Sequence, residues 1–218
     1  MSARLKLFLS GTCLFFLFIL FSYLVHEDLF TQFDFNTTVR LQDNISRRFD
    51  DIFSLLSDIG KFEISIIVLI TFFVLIRKWL AGAVAFVLFG FFHIIELFGK
   101  FYVDHLPPPH FMLRTKEIVE FPQFHVRSEF SYPSGHAGRT AFLSVVIIVF
   151  IVTNKHISPL WKVILCALVI GYDAAMFVSR PYLGEHWSSD VIGGALLGAA
   201  FGLITGAFML RRHHKITQ

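Results

Sequence analysis

Only two of the 218 residues are cysteines, Cys13 and Cys166, and both stand inside apolar runs where a thiol serves as a small hydrophobe. Neither a disulfide framework nor a cysteine metal centre is expected. Charge is also scarce: 16% of the chain is Asp, Glu, Lys or Arg, the net charge is +3, and the basic residues are dispersed rather than gathered among aromatics. That argues against a nucleic-acid partner. The N-terminal apolar run follows Arg4 and Lys6 but lacks a small-x-small cleavage site, ending instead in Val25-His26-Glu27-Asp28. It reads as a retained membrane anchor. There is no internal repeat and no low-complexity tract.

What the chain has in plenty is apolar sequence, 55% hydrophobic residues with 28 Phe. Six apolar segments can be marked, at residues 5–25, 59–76, 80–99, 139–152, 160–178 and 189–210. Most approach the roughly 20 residues that cross a bilayer as helix. The second and fourth are short, and their flanks at 53–57 and 134–137 are expected to extend them. The fold class expected is therefore all-α, a polytopic membrane protein with six transmembrane helices. Between the first two spans, residues 35–56 place Val39, Leu41, Ile45, Phe49, Ile52 and Phe53 between charges at helical spacing. This predicts one interfacial helix. Residues 1–218 are expected to form a single membrane-embedded domain, with its chemistry in 100–190.

Lysine and arginine excess marks cytoplasmic loops. With the N-terminus inside, the inner segments hold Arg4 and Lys6, then Arg77 and Lys78, then Lys155 and Lys162, then Arg211, Arg212 and Lys215, with no acidic residue. The outer segments mix both signs. This predicts a plasma or inner membrane protein with both termini cytoplasmic. The sequons at Asn36 and Asn44 then face outward, which matters only in a eukaryotic secretory pathway. The polar stretch 100–132, with Pro107-Pro108-Pro109, is expected to be a lid or a substrate-contacting loop.

Two strings carry chemistry: Pro133-Ser134-Gly135-His136, and Ser179-Arg180 followed after five residues by His186 and after three more by Asp190. They supply two imidazoles, a carboxylate four residues past one of them, a fixed cation and a helix-starting glycine. That set suits phosphoryl transfer without a metal. Lys100 and Arg180 can bind phosphate oxygens, one as a point charge and the other as a fork. Ser134 and Gly135 can add hydroxyl and backbone donors where a helix dipole favours an anion. The span count brings Lys100, Ser134, Arg180 and His186 to one membrane face.

These strings and the six-span layout resemble the type 2 phosphatidic acid phosphatase superfamily of integral membrane lipid phosphatases. The family's first motif, Lys, six residues, Arg-Pro, is met by Lys100, but the arginine position holds Pro107. Arg139, one turn beyond His136, or Arg114 in the loop is the candidate replacement, with Arg139 ahead. The resemblance implies that His186 is the nucleophile of a phosphohistidine intermediate. It further implies that Asp190 orients that ring, and that His136 protonates the leaving oxygen and then activates water. No cofactor and no metal are expected, because Asp104, His105, His110 and His125 match no established zinc spacing. The partners expected are the bilayer and a lipid phosphate. Undecaprenyl pyrophosphate is the first choice, then phosphatidate or phosphatidylglycerol phosphate. Phosphotransfer to another hydroxyl and an inactive lipid-binding or transport relative remain alternatives, and oligomeric state is not encoded. Inside the spans, His93 and Glu96 share a helical face and are expected to satisfy each other, and Asp173 needs a partner.

Overall fold

The computed structural model describes residues 1–115 and 130–210. The middle of the expected lid, His125 and the basic residues Arg211, Arg212 and Lys215 lie outside the described residues. The described chain is all-helical: α1 (Ala3–His26), α2 (Thr31–Asn44), α3 (Asp50–Ile59), α4 (Phe62–Leu75), α5 (Trp79–Tyr102), α6 (Gly135–Thr153), α7 (Pro159–Tyr182) and α8 (Ser188–Met209). Five of these, α1 and α5 to α8, are long and apolar enough to cross a membrane. The protein is a multi-span membrane protein.

Two expectations need correction. Residues 53–57 do not lengthen the second span. They belong to α3, and the chain turns at Gly60 and Lys61 before α4, whose 14 residues rise only about 21 Å. The predicted single helix over 35–56 is instead two helices, parted by an extended Ile45-Ser46 and a 3-10 turn at Arg47–Phe49.

The physical reason is visible in α3, whose polar residues face inward. Asp50, Ser54, Ser57 and Asp58 are buried, while Ile52, Leu55 and Ile59 are exposed. α2 does the same with buried Asp34 and Thr38 against exposed Phe33 and Phe35. A helix in water turns its apolar side to the core; one between a polar site and lipid inverts that pattern. Each helix therefore follows the polar groups it must satisfy, and one continuous helix does not meet them all.

α8 is the central element. Gly194, Gly198 and Gly202 recur every fourth residue along it, and a side chain at Gly198 or Gly194 would run into the backbone of Gly138 or Ser134. Lipid is as apolar as leucine, so helices in a bilayer are held by close packing rather than by the hydrophobic effect. On its other side α8 meets α1, where a Cβ at Gly11 would lie 2.7 Å from the Ala200 carbonyl oxygen. Aromatic rings fill the remaining space. Phe89 meets Phe142 edge-on at 5.2 Å between centroids, and Phe18 stacks on Tyr132 at 6.2 Å. Ser22 of α1 and the Tyr132 hydroxyl are hydrogen-bonded at 2.9 Å, which pins the approach to α6.

Candidate active site

α5 and α7 end where α6 and α8 begin, so four helix ends share one end of the bundle. Lys100, in the last turn of α5, donates from Nζ to the Ser131 carbonyl at 3.4 Å. Ser134 is the N-cap of α6, buried, with its Oγ accepting from Ala137 N at 3.5 Å and its own N donating to the Asp190 carbonyl at 3.0 Å. The first turn of α6 thus begins at Gly135 against the start of α8, presenting the positive end of a helix dipole.

α7 carries Pro181 in its last turn and ends at Tyr182, and Gly184 turns the chain with φ +70°, where a side chain would also collide with the Met112 carbonyl. The turn folds back on itself, Glu185 N donating to the Arg180 carbonyl at 3.2 Å. This lays the Glu185 carboxylate on the Arg180 guanidinium, which also donates to Ser57 Oγ. Arg180 is 1% exposed and its Nε has no partner among the described residues. Burial alone would raise the Glu185 pKa, but the Arg180 charge and a hydrogen bond from Thr115 outweigh it and hold the carboxyl below its ordinary value. Glu185 is an anion seated on the cation expected to bind phosphate.

His186 precedes α8, and its Nδ1 donates to Asp190 Oδ2 at 3.3 Å. The same oxygen accepts from Trp187 N at 3.0 Å, capping α8. Nε2 is thereby left for chemistry. Burial lowers the proton affinity of this ring, Asp190 opposes, and the charges of Arg180 and Lys100 lower it further. The net position is below an ordinary imidazole, which favours the neutral, nucleophilic form.

His136, on the first turn of α6, lies within electrostatic range of His186, Arg180, Arg139 and Lys100. Its Nε2 is buried without a hydrogen-bond partner among the described residues. A buried unsatisfied imidazole nitrogen is costly unless a ligand completes it. The ring is packed close to Gly60, where a Cβ would lie 3.1 Å from His136 Cδ2.

Arg139 is brought to this group, but it is not a free charge. Its Nε donates to the Gly60 carbonyl at 2.9 Å and its Nη1 lies 3.6 Å from Glu96. Glu96 also accepts from His93 at 2.9 Å, the pairing read from their spacing. Arg114 is taken up elsewhere, donating to the Gln42 carbonyl at 3.1 Å and stacking on Tyr182. Asp173 finds its partner in Ser144, 2.5 Å away.

Five residues had no sequence signal as members of the site: Asp34, Ser57, His105, Ser131 and Glu185. In the sequence His105 stands out only as a possible metal ligand. It is buried and donates from Nδ1 to Asp190 Oδ1 at 2.7 Å, whereas Asp104 and His110 are exposed.

Comparison with known proteins bears on the fold and the family. A crystal structure described as the first transmembrane PAP2 type phosphatidylglycerolphosphate phosphatase from Bacillus subtilis superposes with a TM-score of 0.72 at 20% identity, covering 93% of this chain and 98% of that one. Phosphatidylglycerophosphatase B of Bacillus subtilis (strain 168) is 32% identical over 133 residues, 60% of this chain and 59% of that protein. Undecaprenyl-diphosphatase of Sulfolobus acidocaldarius is 33% identical over 103 residues, 46% of this chain and 42% of that protein. The chain thus matches less than two thirds of the length of either relative. The PAP2 superfamily model matches residues 78–214, a stretch holding Lys100 and both histidine strings. On this match, with the fold agreeing, the chain belongs to the PAP2 superfamily.

Proposed function

We propose that the protein is an integral membrane lipid phosphatase that works without a metal, through a phosphohistidine, at the outer face of the membrane. The observation that carries the reading is the His186–Asp190 pair. With Nδ1 committed to the carboxylate, Nε2 keeps its lone pair toward a substrate phosphorus. Nε2 attacks, the ester or anhydride P–O bond breaks, and His136 supplies a proton to the leaving oxygen. Water then attacks phosphorus, His136 takes its proton, and the P–N bond breaks to release phosphate. Lys100, Arg180, Arg139, Ser134 and the Gly135 backbone carry the charge of the equatorial oxygens, the main task in this chemistry.

Six crossings are supported by which residues meet at the other end of the bundle. Lys78, before α5, donates to the Met209 carbonyl at 3.1 Å, and Arg4 of α1 lies 5.4 Å from the Phe208 ring. α1, α5 and α8 therefore share that end, while Ser22 and Gly60 lie toward the site. Only α4 is left to return the chain, and its shortness fits a locally thinned layer. The basic residues at that end support a cytoplasmic position for it. α2 and α3, apolar face outward, lie along the outer boundary, and residues 1–218 act as one domain.

An amphiphilic substrate is supported by a cavity of about 280 Å³ lined by Ile59, Val68, Thr140, Leu143 and Leu168, neighbours of Gly60 and Arg139. Undecaprenyl pyrophosphate is favoured, because an outward site suits a carrier released on that side. Phosphatidylglycerol phosphate is the second reading, drawn from the name of the Bacillus relative. The test is phosphate release in detergent from a panel of lipid phosphates, with and without chelator. Wild type should turn over at least one, His186→Ala should lose about a thousandfold or more, and chelator should change nothing. Equal release by both proteins removes the enzyme reading, and chelator-sensitive release restores a metal.

A further inference from the structure

We propose that His105 is a positioning residue of the hydrolytic site, fixing one oxygen of Asp190 so that the other is held for the ring of His186. This rests on the phosphatase reading, but its structural basis is independent of substrate. His105 stands five residues past Lys100, and its backbone is clamped. Its N donates to the Val103 carbonyl at 2.7 Å, and its carbonyl accepts from Ser131 N at 2.9 Å and Ser131 Oγ at 3.1 Å. The ring is 7% exposed. A histidine held by its backbone on both sides offers a fixed donor rather than an adaptable one.

That donor makes the stronger of the two imidazole bonds to Asp190. His105 Nδ1 reaches Oδ1 at 2.7 Å, whereas His186 Nδ1 reaches Oδ2 at 3.3 Å. A buried carboxylate gripped only by the weaker bond and by Trp187 N is free to rotate about its Cβ–Cγ bond, and each rotation changes what His186 meets. With Oδ1 anchored, Oδ2 keeps its place, and His186 keeps the tautomer that bares Nε2. The long His186 bond can then shorten as the ring gains positive charge in the transition state.

His105 is itself held by a second carboxylate. Its Nε2 lies 3.7 Å from Asp34 Oδ2, and Asp34 accepts from Ser189 N at 2.8 Å and Ser189 Oγ at 2.6 Å. α2 is thereby tied to the first turn of α8 beside the catalytic carboxylate. Burial works against a charged ring at His105, but the hydrogen bond and charge of Asp190, with the charges of Asp34 and Asp28, outweigh it and raise its pKa. That shift favours the protonated ring, which can donate from both nitrogens. Standing between two carboxylates, the protonated ring also supplies a counter-charge to Asp190 without spending His186 on that task.

The experiment compares wild type, His105→Ala and His105→Asn in detergent, by kinetics and by NMR of ¹⁵N-histidine-labelled protein. The Asn amide can occupy the place of Nδ1 and donate to Asp190, but it has no charge and no reach to Asp34. In wild type His186 should be a single Nδ1–H tautomer. In His105→Ala it should become a mixture, with kcat lower by about ten- to a hundredfold and KM within about twofold, a smaller loss than removal of a charge-stabilising donor. His105→Asn should restore the single tautomer and most of the rate. An unchanged tautomer in His105→Ala overturns the proposal even if the rate falls, because the residue would then be merely structural. Should His105→Ala fail to fold, His105→Asn decides, a mixed tautomer there being the overturning result. If wild type releases no phosphate from any lipid, the enzyme reading fails while the tautomer measurement still judges His105.

Discussion

Glu185→Gln should make the protein bind phosphate more tightly, although the residue adjoins the proposed nucleophile. Glu185, which accepts from Thr115, covers one side of the Arg180 guanidinium while Ser57 takes another. A substrate phosphate needs the donors that Glu185 now holds, so binding includes the work of displacing that carboxylate. A hydrogen bond to a charged group contributes about 1.5–3 kcal/mol, and Coulomb attraction at an effective dielectric of 20 sets an upper bound near 4 kcal/mol at about 4 Å. The Glu185 side chain is 20% exposed, so screening removes only part of this. Glutamine keeps the shape and an acceptor for Thr115, but turns a competing anion into a neutral amide. The inhibition constant for inorganic phosphate should fall about ten- to a hundredfold, each factor of ten being about 1.4 kcal/mol. Thermal unfolding supplies a second reading. Without anion, the variant leaves a buried arginine short of a partner and should melt lower than wild type. Added phosphate should raise its midpoint more than it raises the wild-type one, since only the folded state binds. An inhibition constant that is unchanged or higher in Glu185→Gln refutes the reasoning and makes Glu185 a support for Arg180 instead of a rival to phosphate.

Gly60→Ala places a methyl 2.9 Å from Met176 Cε and 3.1 Å from His136 Cδ2. The methionine can yield, but the imidazole moves, so kcat should fall about tenfold or more for a sub-ångström displacement of a proton donor while the melting midpoint changes little; an unchanged kcat refutes it. For pH, His186 as the proposed nucleophile must be unprotonated at Nε2, and its pKa is held below the usual value of about 6.5. The acid limb of kcat/KM should therefore lie below that value, activity being lost as pH falls through the lowered pKa. Arg180→Gln should move the limb upward, and a limb that stays put assigns it to another group. Arg139→Ala should lower turnover about a hundredfold, comparable to losing one charge-stabilising donor; an unaffected rate makes Arg139 an anchor for Gly60 and Glu96 alone.

The long helices and the two histidine strings were legible because they are local. A run of apolar residues fixes a span, and His186 reaches Asp190 because they are four apart at a helix start. The His93–Glu96 contact followed for the same reason. What stayed hidden comes from contacts between distant parts of the chain: Ser57 on Arg180, Asp34 on Ser189, and His105 on Asp190, 85 residues away. α3 misled for a related reason. Its apolar residues keep helical period, so the pattern shows an amphipathic helix but not which side faces the protein, and the inward polar face is set by groups it meets on α7. Glu185 is adjacent in sequence to His186, yet only the turn at Gly184 tells that it folds back over Arg180.

The proline at 107 takes on a different meaning beside these contacts. In the family pattern an arginine would add a cation here, and Arg139, the nearest substitute, already faces Glu96. Near the two histidines, Lys100, Arg139 and Arg180 are set against Glu96, Glu185 and Asp190, and the His105 ring against Asp34, so the resting site is close to charge balance. A balanced site has little net pull on a phosphate dianion. It gains that pull only when one of its carboxylates gives way, and these three differ in how firmly they are held. Asp190 is fully buried and held by two imidazoles and a backbone N–H, and Glu96 is gripped by His93 and Arg139 inside the bundle. Glu185 is the most exposed of them and sits on a turn. With the family's extra arginine missing, displacement of Glu185 is the step that would hand Arg180 to the substrate. A chain carrying both Glu185→Gln and Arg139→Gln should then bind phosphate more tightly than Arg139→Gln alone, by the same factor that Glu185→Gln gives in the wild-type background. Non-additive values would mean that the two cations bind one phosphate oxygen in common.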